Sequence, residues 1–228
     1  MKAINETIQG KITNFNERTG ELTIVAKYDD FATMARREYD TVTITLNDSR
    51  PLSAQQRKNC YAMIREIAEW SGDMASEVKE FLKADFIASE ALEIQDQFSL
   101  SNAPMSTVAA FQKWLARFIV RNDVPCKKSL LSYVDDIDDY VYACLVSKKC
   151  CICGRKADLH HVDTVGAGRD RTEIVHEGMK VLPLCREHHT EYHTIGKSEF
   201  MKLYHLNDGI PLDKTLCKLY HLKARKGE

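Results

Sequence analysis

No histidine occurs before position 160 of this 228-residue chain, and all eight of its histidines follow. Other features are scarce as well. No run approaches the roughly 18 apolar residues that a membrane span requires, and the opening MKAINETIQG has no apolar signal-peptide core. A reducing cytoplasm is therefore the expected compartment, where disulfides are rare, so the eight cysteines are read as ligands rather than crosslinks. With five prolines and ten glycines, no Pro-rich or Gly/Ser-rich stretch marks a linker. No aromatic-rich basic strand of the kind that stacks single-stranded bases stands out either.

What is present is concentrated. From Cys150 to His193 the chain reads Cys150-x-x-Cys153, His160-His161 and Cys185-x-x-His188-His189-x-x-x-His193. With His176 and Cys151, ten of the sixteen Cys and His residues fall in this window, most at ligand spacing. A lone C-x-x-C can be a pair of buried thiols, or a redox pair beside a βαβ pattern. No such pattern surrounds this one, and Cys185-x-x-His188 supplies the other half of a shell. Two cysteine-bearing pairs could close a tetrahedral zinc shell, leaving His160, His189 and His193 for a second ion open to substrate.

Composition is that of a globular protein, 44% hydrophobic and 29% charged. The formal net charge of −1 conceals an asymmetry, since residues 1–142 carry 17 Lys+Arg against 22 Asp+Glu and residues 143–228 carry 15 against 11. The basic end is the metal-bearing one, which suits a polyanionic substrate. Two domains, 1–142 and 143–228, are expected.

Along the chain, alternating or β-branched stretches at Ile8–Phe15, Glu21–Lys27 and Thr41–Leu46 predict three short strands, with Glu17-Arg18-Thr19-Gly20 as a hairpin turn. After Leu52 the period changes. Ser53 can cap a helix whose stripe is Cys60, Met63, Ile64, Ile67 and Ala68, ended by Ser71-Gly72. Further amphipathic segments are expected at 76–86, 106–121 and 128–144, with a break at Asn102-Ala103-Pro104. Asp135, Asp136, Asp138 and Asp139 fall in the first half of the last segment, where carboxylates complement the helix dipole and face water.

Residues 40–135 resemble the lambda-type Orf (NinB) phage recombination mediators. The resemblance runs through Arg50-x-Leu52-x-x-Gln55-x-Arg57-Lys58, Cys60, Trp70-x-Gly72, Lys79, Phe86, Phe111, Val120 and Val124. It implies a dimer that binds single-stranded DNA and loads recombinases, with Arg50, Arg57 and Lys58 as candidate phosphate contacts and a single-strand-binding protein as a candidate partner.

Residues 148–196 resemble the HNH endonucleases, whose ββα-metal fold clamps a divalent ion between a hairpin and a helix. Leu159-His160-His161-Val162 reads as a strand, so the adjacent histidines point to opposite sides. Glu187–Thr194 reads as a helix, with His189 and His193 one turn apart on one face. The resemblance implies that His160, His189 and His193 hold a catalytic ion (Mg2+, Mn2+, Ni2+ or Zn2+), that His161 is the general base, and that cleavage leaves 5′-phosphate and 3′-hydroxyl ends. It places a structural zinc at Cys150, Cys153, Cys185 and His188; Cys151, with only one residue between it and Cys153, has a poor chelate geometry and is read as a non-ligand.

Gly166, Gly168, Arg169 and Arg171 lie in a loop that could approach a phosphate backbone, and Lys180, Lys197 and the basic tail are further candidates. Two departures from the family pattern stand out. Lys180 replaces the asparagine that steadies the base, and Asp163 replaces the proline after His-His-x. His176, Lys180 or Asp163 could take over the orienting role.

The expected architecture is α+β, a small antiparallel sheet with several helices followed by a zinc-stabilised ββα-metal domain. The expected function is a metal-dependent DNA endonuclease of phage recombination or replication, in the cytoplasm of a bacterial host, acting on single-stranded or branched DNA, with duplex also a candidate. One alternative is a recombination mediator whose HNH-like module grips DNA but cleaves little. The other is a zinc-stabilised protein-interaction module.

Overall fold

Asn16 turns the chain back on itself: its carboxamide oxygen accepts from the amides of Arg18 at 3.1 Å and Thr19 at 3.3 Å, and its carbonyl accepts from Gly20. Gly20 has φ +74, a conformation that costs glycine little. The turn joins β1 (Gly10–Asn16) to β2 (Glu21–Ala26) in an antiparallel ribbon with an irregularity between Ile12 and Asn14. In the computed structural model, residues 8–30, 32, 36, 44, 50, 52–90, 98–101, 103–162 and 174–225 are described. The third expected strand, 41–46, lies outside these apart from Ile44. The chain divides into two units, Met1–Leu46 and Asn47–Glu228. The hairpin belongs to the first.

The second unit begins with a reciprocal cap. The Gln56 amide donates to the Ser53 hydroxyl at 3.1 Å and the Ser53 amide donates to the Gln56 side chain, satisfying two groups that a helix start leaves unpaired. Helix α1 (Ala54–Ser71) then buries the expected stripe Cys60, Met63, Ile64, Ile67 and Ala68, and ends at Gly72 in the left-handed conformation. Helices α2 (Ala75–Ser89) and α3 (Met105–Arg121) complete the layer. Phe86 and Phe111 meet edge to face at 5.3 Å, and Phe98 and Trp114 pack around them.

The segment expected as one helix over 128–144 is two elements. Ser129 starts a short 3-10 turn at Leu130–Ser132, and helix α4 (Ile137–Ser147) begins only after Asp136, whose carboxylate accepts from the Asp139 amide at 3.0 Å. The N-cap bond is the physical reason for the late start. Asp136 therefore caps the helix and Asp138 and Asp139 fall in its first turn, within the first half as expected, and Lys113 and Arg117 of α3 pair with Asp136 and Asp139.

Beyond α4 a three-stranded antiparallel sheet forms in the order β3 (Asp158–His161), β4 (Lys180–Leu184), β5 (Ile210–Pro211). His160 pairs with Leu182 and His161 with Val181. Helix α5 (Arg186–Ile195) follows β4 directly, and α6 (Lys197–Leu203) and α7 (Lys214–Leu219) flank β5. Gly209 precedes β5 with φ +83, and a Cβ there would lie 3.1 Å from the Val181 carbonyl oxygen.

The architecture is thus α+β, helices with small sheets. One apolar core runs from Leu52 through Leu145 to Val181, Leu184, Phe200 and Cys217. The expected boundary at 142/143 falls within α4, inside the second unit. No helix among the described residues is long and apolar enough to cross a membrane.

Candidate functional site

The two cysteine pairs meet because two backbone turns aim them at each other. An isolated bridge between Lys149 and Lys156 closes a tight turn in which Cys150 donates to the Arg155 carbonyl at 2.7 Å and Gly154 to the Cys150 carbonyl at 2.8 Å. Opposite it, Cys185 is the N-cap of α5 and His188 stands in its first turn. The ligand atoms of Cys150, Cys153, Cys185 and His188 all lie within 4.8 Å of one another. The Cys153 and Cys185 sulfurs are 3.7 Å apart, and His188 Nδ1 is 3.5 Å from the Cys150 sulfur and 3.1 Å from that of Cys185. A tetrahedral zinc with bonds of about 2.3 Å to sulfur separates its thiolates by roughly 3.8 Å. The donor set and spacing fit zinc.

The electrostatics of this set pull in opposite directions. Burial pushes the Cys150 thiol up to about 12. Cys153 lies below the ordinary thiol value, because hydrogen bonds, chiefly from Arg155 whose Nε is 3.3 Å from its sulfur, outweigh its burial. Burial lowers His188, keeping the imidazole neutral as a ligand must be. Cys151 is fully buried outside the cluster, its amide bonded to the Pro183 carbonyl and its own carbonyl to the Tyr140 hydroxyl.

A second cluster forms where β3 faces α5. His160, His189 and His193 each offer a nitrogen, all within 4.8 Å of one another. The His160 ring is 4.8 Å from His189, 5.2 Å from His193 and 4.2 Å from the Tyr192 ring, between centroids. His160 is buried, and its Nε2 has no hydrogen-bond partner. A buried polar nitrogen without a partner costs free energy unless something coordinates it. Burial, then the neighbouring His189 and His193, push His160 down to about 4, so near neutral pH it presents a lone pair rather than a charge. His189 is lowered by the same kinds of effect. These residues fit a divalent ion with positions left over.

His161 faces the other side of β3, as strand alternation requires. Its Nε2 lies 3.0 Å from His176 Nδ1, with the ring centroids 5.0 Å apart. Lys180 donates to Asp208 at 2.6 Å, and Lys197 binds the other oxygen of the same carboxylate at 2.5 Å. Two cations hold Asp208 down to about 2.

The remaining candidates stand elsewhere. Asp163, Gly166, Gly168, Arg169 and Arg171 lie outside the described residues. Lys58 is exposed near the start of α1, whereas Arg57 is half-buried and donates to the Ser101 carbonyl at 3.3 Å. Arg50 is exposed, and its carbonyl accepts from the Met105 amide. Sequence reasoning missed the Arg155–Glu187 pair, a bidentate contact from the cysteine turn to the first turn of α5, and Asp208. The basic residue two places after Cys153 and the acidic one before His188 were the available signal for the first. Nothing local marked Asp208.

No curated protein and no solved structure matches this chain. A family model does match, over residues 32–223, and its description is "Putative HNHc nuclease". The match takes in the cysteine turn, both histidine-bearing elements and the helices before them, most of the chain's length. The chain belongs to the HNHc nuclease family.

Proposed function

We propose that this protein is a metal-dependent DNA endonuclease hydrolysing phosphodiester bonds, with His161 as the general base. The observation that carries the reading is the buried, unpartnered Nε2 of His160 among His189 and His193, with His161 one residue along the same strand on the opposite face. In this reading β3, β4 and α5 make the ββα-metal unit. His160, His189 and His193 would hold the catalytic ion; Mg2+, Mn2+, Ni2+ and Zn2+ are the candidates. Cys150, Cys153, Cys185 and His188 would hold zinc and fasten the cysteine turn to α5, a folding contribution rather than a chemical one.

A divalent ion bound by the three histidines supplies electrostatic stabilisation to the phosphate and the departing oxygen. The chain does the rest. His161 takes a proton from water as its oxygen attacks phosphorus. The bond from phosphorus to the 3′ oxygen breaks, the leaving oxygen takes a proton from solvent, and the ends are a 5′-phosphate and a 3′-hydroxyl. Neutral imidazole suits this task because its ordinary pKa lies near the working pH.

The basic balance of residues 143–228 favours a polyanion at this end of the chain. A setting in phage recombination draws its support from the resemblance of residues 40–135 to the Orf mediators. There residues 1–142 would deliver the site to single-stranded or branched DNA, with a single-strand-binding protein and a second copy of the chain as candidate partners.

The test is incubation of the protein with supercoiled plasmid and Mg2+, Mn2+ or Ni2+, beside His161→Ala. Nicking by the native chain, abolished in the variant with zinc content and fold unchanged, is expected. Equal nicking by both removes His161 as the base. No nicking with any ion, together with a salt-dependent shift of labelled single-stranded DNA, favours the DNA-binding mediator. Absence of any DNA binding at low salt favours the protein-interaction module.

A further inference from the structure

The chain leaves α7 on a course that returns it to the proposed base. His221 takes the left-handed conformation at φ +55 and the Leu222 amide donates to the Cys217 carbonyl at 2.8 Å, a Schellman turn that ends the helix. Residues 222–225 then run beside the turn that begins at His176. The His176 amide donates to the Lys223 carbonyl at 2.9 Å, and the Arg225 amide donates to the Glu177 carboxylate at 2.8 Å. On its other side that turn is tied to the sheet edge, with the Gly178 amide donating to the Leu212 carbonyl at 2.8 Å. The His176 ring lies 3.0 Å from His161, so one residue joins this segment to the proposed base.

Exposure along the segment alternates. Leu222 and Ala224 are half-buried against the core, whereas Lys223 and Arg225 are exposed. Alternate side chains of an extended chain share a face, which sets these two cations on the outer side, their backbones roughly 7 Å apart. A Cβ on Gly178 would lie 3.9 Å from Arg225 Nη2, so the guanidinium stands beside the bare backbone of the turn. Arg155, Lys180 and Lys197 are each held by an acid, but among the described residues no ion pair engages Lys223 or Arg225. Glu177, the acid bonded to the segment, is half-buried and engages the Arg225 backbone. Basic residues in the last turn of a helix complement its dipole. That account does not reach this pair, because α7 ends at Leu219.

We propose that Lys223 and Arg225 form a phosphate-binding strip beside the proposed base, gripping the backbone of the DNA strand next to the bond that is cut. The proposal rests on the nuclease reading above for its substrate, and on the backbone bonds at Lys223 and Arg225 for its placement. A guanidinium matches two phosphate oxygens at once, and an ammonium serves as a point charge. Neither reads a base here. The strip therefore sets position and affinity and carries no sequence preference.

The experiment compares the full-length, zinc-loaded protein with Lys223→Gln, Arg225→Gln, the double variant and Lys223→Arg. Binding to labelled single-stranded DNA of two unrelated sequences is measured over a salt series with no Mg2+, Mn2+ or Ni2+ added, and plasmid nicking with Mn2+ is measured separately. The slope of log K against log salt should become shallower by about 0.7 in each glutamine variant and by about 1.4 in the double variant, alike on both sequences, with melting temperature and zinc content unchanged. Lys223→Arg keeps the charge and should keep the slope. In nicking, the double variant should raise KM with little change in kcat. A native slope in the double variant overturns the strip, and nicking by that variant at the native KM leaves the nuclease reading standing without it. A slope lowered as much by Lys223→Arg as by Lys223→Gln means a structural role and also overturns the strip. The expected slopes together with no nicking by any ion support the strip and overturn the nuclease reading. No binding by the native chain at low salt overturns both.

Discussion

Arg155 grips Glu187 with two guanidinium nitrogens while its Nε lies 3.3 Å from the Cys153 sulfur. One side chain therefore spans both halves of the proposed zinc shell, the cysteine turn and α5. Because both partners are exposed, the pair itself adds little to folding. Its effect should appear in the metal. Arg155→Ala is expected to leave the melting temperature nearly unchanged but to speed zinc release to a chelator, as Cys153 loses the charge that favours its thiolate. Release rates followed with a colorimetric zinc indicator, alongside thermal melts, check both halves of the expectation.

Replacing a ligand should be far more damaging than replacing its neighbour. Cys185→Ser removes one of four proposed zinc donors at the junction of β4 and α5, where Leu184 is buried in the common core. Loss of zinc and destabilisation by several kcal/mol, on the order of 10 °C, are expected. Elemental analysis and calorimetry of the purified variant test this, and full zinc content would remove Cys185 from the shell.

Alkali should weaken the fold through Cys60. Burial, reinforced by Asp135, raises this thiol from 9.0 to about 12. Between those values the unfolded chain loses the proton that the folded chain keeps, so stability is fully present below pH 9 and is lost as pH rises toward 12. Cys60→Ala should flatten that alkaline slope while lowering stability at neutral pH through the lost packing. Denaturant unfolding at pH 7, 9 and 10.5 measures both effects.

Gly209 offers a backbone test. A methyl group there would meet Val162 at 3.0 Å and the Val181 carbonyl oxygen at 3.1 Å, on a residue with φ +83. Gly209→Ala is expected to cost about 1–3 kcal/mol and to disturb the β4–β5 edge beside Asp208. Equal melting temperatures for variant and native chain would show that the edge relaxes freely.

Much of this was readable in the sequence because the signals are local. The i, i+4 spacing of His189 and His193, the C-x-x-C turn and the Ser53 cap each need only a few neighbouring residues to take effect. The residues that were harder to read depend on distant partners. His176 was one of three candidates to orient His161, and only the fold brings its ring to 3.0 Å across a 15-residue separation. Lys180 could equally have served as an orienting group or a phosphate contact, until Asp208, 28 residues on, is seen bound to it. Elements as short as β5 and α7 show too few periods for a pattern to be counted. The late start of α4 followed from a single carboxylate bond that competes with continued helix.

The pairing of His160 with Leu182 and His161 with Val181 has a further consequence. Side chains along a strand alternate with a period of two, so a slip of one residue between β3 and β4 would turn His161 toward α5 and His160 away from it. The two histidines would trade places as proposed ligand and proposed base with no change in composition. What makes them chemically distinct is an alignment of four residue pairs, and the buried side chains of β4 keep that alignment in step.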